Sequence, residues 1–79
     1  MTGMEDILEE VQWGLYSKYR WKSVITKGGY LIIKIPYELE EMFEVECMLQ
    51  MTLEDLSLKL DVHFDYEFYE NKIKVFALV

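Results

Sequence analysis

Seventy-nine residues, 52% of them apolar and 15% aromatic, predict a single domain over residues 1–79 with a core of its own. A chain this short buries roughly 60% of its unfolded surface, yet it lies far from the weakly hydrophobic, highly charged regime of disordered chains. The only cysteine is Cys47, which excludes an intrachain disulfide, a zinc knuckle and a CxxC redox pair and fits a reducing, cytoplasmic setting. Net charge is −7.

Thr2 and Glu5 have the spacing of a capping box, and Met4, Ile7, Leu8, Val11, Leu15 and Tyr19 then recur at helical intervals. A helix over residues 3–17 follows, with Trp13 on the side opposite the apolar stripe among Asp6, Glu9 and Arg20. Strands over 20–27 and 30–36 flank Gly28-Gly29, a pair that tolerates the positive φ angles of a two-residue hairpin turn. That turn length sets Val24 and Thr26 on one face with Leu31, Ile33 and Ile35. Trp21, Ile25, Tyr30 and Ile32 take the other face, which is then free for a partner or a second copy.

Pro36 ends the second strand, and a helical turn after it packs Leu39 and Met42 inward. From Phe43 the pattern turns to period two, with Val45, Cys47, Leu49 and Met51 alternating with Glu44, Glu46, Met48 and Gln50. This reads as a strand over 43–51; a helix over 37–50 competes, because Glu, Leu and Met are good helix formers. A turn in Thr52-Leu53-Glu54-Asp55 leads to a long alternating strand over 56–69, and Glu70-Asn71 turns it back into a last strand over 72–79. The expected architecture is α+β: an N-terminal helix packed on one face of an antiparallel sheet of about five strands.

The first residues offer Glu5, Asp6, Glu9 and Glu10 where a secretory signal needs a basic start, and no uncharged run approaches ~18 residues. Neither secretion nor a membrane span is expected. Catalytic chemistry also lacks its parts. His63 stands between Asp61 and Asp65, but a straight strand does not converge three side chains on a metal, and Ser17, Ser23 and Ser57 lie in no nucleophile motif. Cys47 reads as a buried, inert thiol. No enzyme, cofactor or metal site is therefore expected.

Charge distribution is more informative than net charge. Lys18, Arg20, Lys22, Lys27 and Lys34 form a basic segment free of acids, whereas from Glu38 to Glu70 eleven acids face Lys59 alone. The expected partner-binding acids are Asp61, Asp65, Glu67, Glu44, Glu46, Glu5, Asp6 and Glu9, with Trp13, Tyr16, Trp21 and Tyr69 as aromatic anchors. The row Asp61, Asp65, Glu67 offers one charge per ~6.6 Å, half the density of a single DNA strand at one per ~3.4 Å, so imitation of a nucleic acid needs a second acidic row beside it.

In size and charge the chain is similar to phage-encoded inhibitors, among them anti-CRISPR proteins and DNA mimics, and to immunity proteins and antitoxins. That similarity implies a non-enzymatic module in the cytoplasm, the host's if phage-encoded, occluding a basic surface of a partner protein, a nucleic-acid-binding one included. Two alternatives stand beside it. One is a structural or accessory protein that homodimerises, or else an immunity or antitoxin protein. The other is a nucleic-acid binder using the basic hairpin 18–34, against which the net charge argues.

Overall fold

The structure is a computed structural model that describes residues 3–34, 41–69 and 71–78. Its elements are α1 (Met4–Tyr19), β1 (Ser23–Ile25), β2 (Leu31–Lys34), α2 (Met42–Leu60), β3 (His63–Phe68) and β4 (Lys72–Leu78). The domain is α+β as expected, with four antiparallel strands among the described residues in the order β1-β2-β4-β3. Two hairpins distant in sequence thus meet at the centre of the sheet, where Leu31 stands opposite Val75 and Ile33 opposite Ile73. All four are fully buried.

Helix α1 follows its apolar stripe: Ile7, Leu8, Val11 and Leu15 are buried, and Tyr19 and Met4 pack against the core from its ends. Gly3 is the N-cap, without a side-chain bond, and the expected capping residue Thr2 lies outside the described residues. Arg20 stops the helix in the left-handed conformation at φ 63°, and its N–H bonds the Tyr16 carbonyl at 2.9 Å. The core-facing side of the sheet is thus shared by two helices, because the expected strand 43–51 and the first part of the expected strand 56–69 form one helix, α2. Val45, Leu49, Thr52, Leu53 and Leu56 are its buried residues, spaced by three and four. The same stretch also satisfies period two, since apolar residues occupy both its inner and outer sides. Helix propensity of Glu, Leu and Met decides between the patterns.

The first hairpin also differs from expectation by one residue. Its loop is Lys27-Gly28-Gly29: the Gly29 N–H bonds the Thr26 carbonyl at 3.2 Å, Gly29 takes φ 86°, and the Thr26 N–H bonds the Tyr30 carbonyl. A three-residue turn with glycine in the left-handed position replaces the two-residue turn. Ser23 therefore opposes Ile33 and Ile25 opposes Leu31, which turns Ile25 to the core and Val24 outward with Ile32. Trp21 packs against the core as well, so the expected outer set of Trp21, Ile25, Tyr30 and Ile32 keeps only its last two members outside. The expected span 20–27 shortens to Ser23–Ile25, and of the expected 30–36 the strand covers Leu31–Lys34, with residues 35–40 outside the described ones.

The helices touch where α1 carries Gly14. A Cβ there meets Leu56 Cδ1 at 3.6 Å and Thr52 Cγ2 at 3.8 Å, both ordinary van der Waals distances. Glycine inside a helix costs roughly 0.5–1 kcal/mol relative to alanine. Gly14→Ala is expected to stabilise the domain by about that amount, seen as a rise of roughly 2–8 °C in a calorimetric melt. A fall in the midpoint would show that the helices are closer than these distances allow.

Candidate functional site

With both helices on one side, the molecule presents two broad faces of different chemistry. The helix layer is acidic: α1 and α2 together carry eight acids and two lysines. Each lysine leans toward an acid of the other helix, Lys18 to Asp55 at 3.5 Å and Lys59 to Glu10 at 3.7 Å. Both pairs are largely exposed and add little stability. Glu5, Asp6, Glu9 and Glu10 fall within two turns of α1, close to one charge per ~2 Å of helix axis at a rise of ~1.5 Å per residue. Duplex DNA carries one per ~1.7 Å.

Large apolar side chains rise among these acids. Trp13 is 67% exposed at the outward pole of α1, with the Tyr16 ring 6.4 Å from its own. On α2, Phe43 (73% exposed), Met51 (64%) and Leu58 (85%) mark a second apolar stripe on the side away from the core. Their spacings of eight and seven residues put them on one side once the segment is read as a helix. In the expected strands 43–51 and 56–69 the three are absorbed by the alternation.

The expected acidic residues do not form one surface. Glu5, Asp6, Glu9 and Glu44 belong to the helix layer and are exposed. Asp65 and Glu67 project from the opposite face, on the outer side of β3. Asp61 lies on no strand: it is the C-cap of α2, left-handed at φ 55°, with its N–H on the Ser57 carbonyl. Glu46, half-buried, points between the layers and accepts the Tyr66 hydroxyl at 2.8 Å on Oε2. A second row from Glu44 and Glu46 beside the β3 row is thereby ruled out, because the sheet separates them.

Asp65 also has a structural use. β3 is an edge strand, and its free-side Tyr66 N–H bonds Asp65 Oδ1 at 2.8 Å. At the other edge Gln12 Nε2 donates to the Ser23 carbonyl at 2.8 Å. Both edges are thus occupied at a point where another strand would dock.

Among the described residues no element covers the outer face of the sheet, which is mainly basic. Across it stand Lys22, Lys34 and Lys72, with Lys34 opposite Lys72 and the Lys34 N–H on the Lys22 carbonyl at 3.2 Å. Lys74 sits two residues on, its ammonium 4.2 Å from the Tyr30 ring centroid and 5.8 Å from that of Phe76. Val24, Ile32 and Leu78 fill the remainder, with His63, Asp65, Glu67 and Tyr69 along β3 and its end. Of the expected basic residues only Lys22 and Lys34 belong to this group. Lys18 faces Asp55, Arg20 lies over the Tyr16 ring at 5.3 Å, and Lys27 is in the turn. Lys72, Lys74 and Phe76 were missed. Their alternation in KIKVF was the available signal.

His63 is exposed on the outer side of β3, opposite Leu78, and Cys47 is half-buried on α2 where an inert, buried thiol was expected. Among the described residues no group of three or more His, Cys, Asp and Glu side chains is placed to hold a metal ion. No described helix is long and apolar enough to cross a membrane. Trp13, Tyr16 and Trp21, three of the expected anchors, line a groove of about 380 Å³ with Gln12, Lys22 and Ser23. The fourth, Tyr69, lies apart, its hydroxyl donating to Glu67 at 3.0 Å. No family model, curated protein or solved structure matches the chain.

Tyr66 tests the joint between α2 and the sheet. Its phenol is held above the ordinary 10.0, first by burial and then by the bond to the Glu46 carboxylate, against an opposing bond from Gln50. The folded state therefore binds this proton more tightly than the unfolded chain, and the stability it brings is complete below pH 10 and lost as pH rises through the folded value. The difference between wild-type and Tyr66→Phe absorbance titrations is expected to show a phenol with a midpoint above 10.0. A midpoint at or below that value would remove the hydrogen-bonded contact.

Proposed function

We propose that the protein is a non-enzymatic interaction module whose acidic helix layer covers a basic surface of a partner protein, in the manner of a phage-type inhibitor such as an anti-CRISPR protein or DNA mimic. One observation carries the reading: the acids of α1 and α2 lie on one side of the sheet around the exposed side chains Trp13, Phe43, Met51 and Leu58. Charge of this density steers encounter with a cationic surface and makes association sensitive to salt. Apolar side chains among the charges supply what steering lacks, a patch that loses water on contact and slows dissociation. A partner surface that binds nucleic acid fits best, because the first two turns of α1 approach the charge density of a duplex. Inhibition is then steric. The acids of α1 take the role first expected of Asp61, Asp65 and Glu67.

Capture from an extract of the source cells tests this, using the wild type, the triple variant Glu5→Gln, Asp6→Asn, Glu9→Gln, and Trp13→Ala, each checked for an unchanged circular dichroism spectrum. The expected partner is a basic protein. The triple variant should associate with it more slowly and with a weaker salt dependence, and Trp13→Ala should raise Kd about 30-fold, the ~2 kcal/mol of an interface anchor. A partner held equally by all three proteins, or none held by the wild type, refutes the reading.

A further inference from the structure

The four lysines on the outer face of the sheet come from both ends of the chain, Lys22 and Lys34 from the first hairpin and Lys72 and Lys74 from the second. Lys34 of β2 and Lys72 of β4 stand opposite each other with backbones ~4.8 Å apart, Lys22 lies just before β1 with its carbonyl on the Lys34 N–H, and Lys74 stands ~6.8 Å further along β4, opposite Glu67 of β3. None of the four is ion-paired with a described carboxylate. Of the described acids on this face, Asp65 caps a backbone N–H, and Glu67, directly across from Lys74, accepts the Tyr69 hydroxyl.

From this arrangement we infer that the open sheet face binds single-stranded nucleic acid. Lysines in a row neutralise consecutive phosphates, and the rings of Tyr30 and Phe76 beside them form a platform on which bases stack. An acidic peptide would use the lysines but has no use for flat rings. A duplex hides its base faces, and among the described residues the flat face offers no projecting element to enter a groove. Lys74 couples the two halves of the site. In the free protein its ammonium lies over Tyr30, and a phosphate draws it away and uncovers the ring for a base.

Net charge, which speaks against any polyanion, acts here from the wrong side. The acids of α1 and α2 belong to the helix layer, behind the sheet. Salt screens exposed charges beyond ~8 Å at physiological ionic strength. The sheet face therefore presents its own charge: β2 and β4 carry three lysines and no acid, Lys22 precedes β1, and the acids of this face, Asp65 and Glu67, stand on the edge strand β3. This inference is independent of the proposed role of the helix layer.

Fluorescence anisotropy decides it, with labelled oligothymidylate and oligouridylate of roughly 15 nucleotides, a duplex of the same length and polyglutamate as probes. Binding of the single strands at ~50 mM salt is expected, with log K falling against log salt at a slope of about −2.8 for four lysines. The double variant Lys72→Gln, Lys74→Gln should lower that slope to about −1.4. Phe76→Ala, which removes no core residue, should weaken binding roughly 5- to 150-fold with the slope unchanged. Trp13→Ala should bind like the wild type, which separates failure of this site from failure of the helix-layer reading. Absence of single-strand binding at low salt overturns the inference, as does equal affinity for polyglutamate or the duplex, or indifference to the Lys72/Lys74 and Phe76 changes in variants whose melting is unaltered.

Discussion

The rest of the molecule depends on the pairing of β2 with β4. Leu31, Ile33, Ile73 and Val75 are fully buried at the centre of the sheet, and burial of each aliphatic side chain stabilises by about 1.5–3 kcal/mol before entropy is counted. They come from segments some forty residues apart, and the chain between them is occupied largely by α2. Joining the two hairpins here makes one sheet with one apolar side. Both helices must then lie on that side, since Leu8, Val11 and Leu15 of α1 and Leu49, Leu53 and Leu56 of α2 have no other apolar surface to meet. The outer face is left open as a direct result, and its lysines and rings are brought together only by this pairing.

Much of this was legible from local pattern. The helical stripe of α1, the outward Trp13 and the alternation of HFDYEF and KIKVFAL each follow from the period of a single segment, and Glu70 of the expected turn lies outside the described residues. Two errors arose where period alone does not decide. In residues 42–60 apolar side chains serve both the core and the outer surface of α2, so the stretch satisfies period two as well as 3.6. The exposed Phe43, Met51 and Leu58 are what lengthened the apparent strands. In the first hairpin both flanks hold strands, shorter than expected, but Gly29 in the left-handed region makes a three-residue turn, and one residue of slip moved Ile25 and Val24 to opposite faces. The candidate surfaces suffered more than the fold. A row of acids is visible in sequence; which side of a sheet it faces is set by register.

An open sheet face next to free edges is ordinarily a hazard, because edge strands recruit further strands. Here the edges are handled by side chains already present. Asp65 occupies the Tyr66 N–H on β3, Gln12 occupies the Ser23 carbonyl on β1, and β1 itself is only three residues long. Contact through the face is left possible while growth through the edges is discouraged. This also changes the meaning of Asp65, first read as one of a row of interaction charges. Its carboxylate completes the backbone of an edge strand.

The ten residues DVHFDYEFYE show how one stretch divides between the two layers. Phe64, Tyr66 and Phe68 pack against the core side of the sheet, where Tyr66 reaches Glu46 and ties β3 to α2. His63, Asp65 and Glu67 face outward at the edge of a surface that is otherwise basic, and Asp61 ends a helix. The dense acidity of the protein lies elsewhere, on the first two turns of α1, because a helix packs four carboxylates into a rise of ~7.5 Å whereas one face of a strand needs ~6.8 Å for each additional one. Charge density is a property of secondary structure as much as of composition. The same acids drawn out on a strand could not approach the spacing of phosphates, and their place on a helix behind the sheet leaves the opposite face to the lysines.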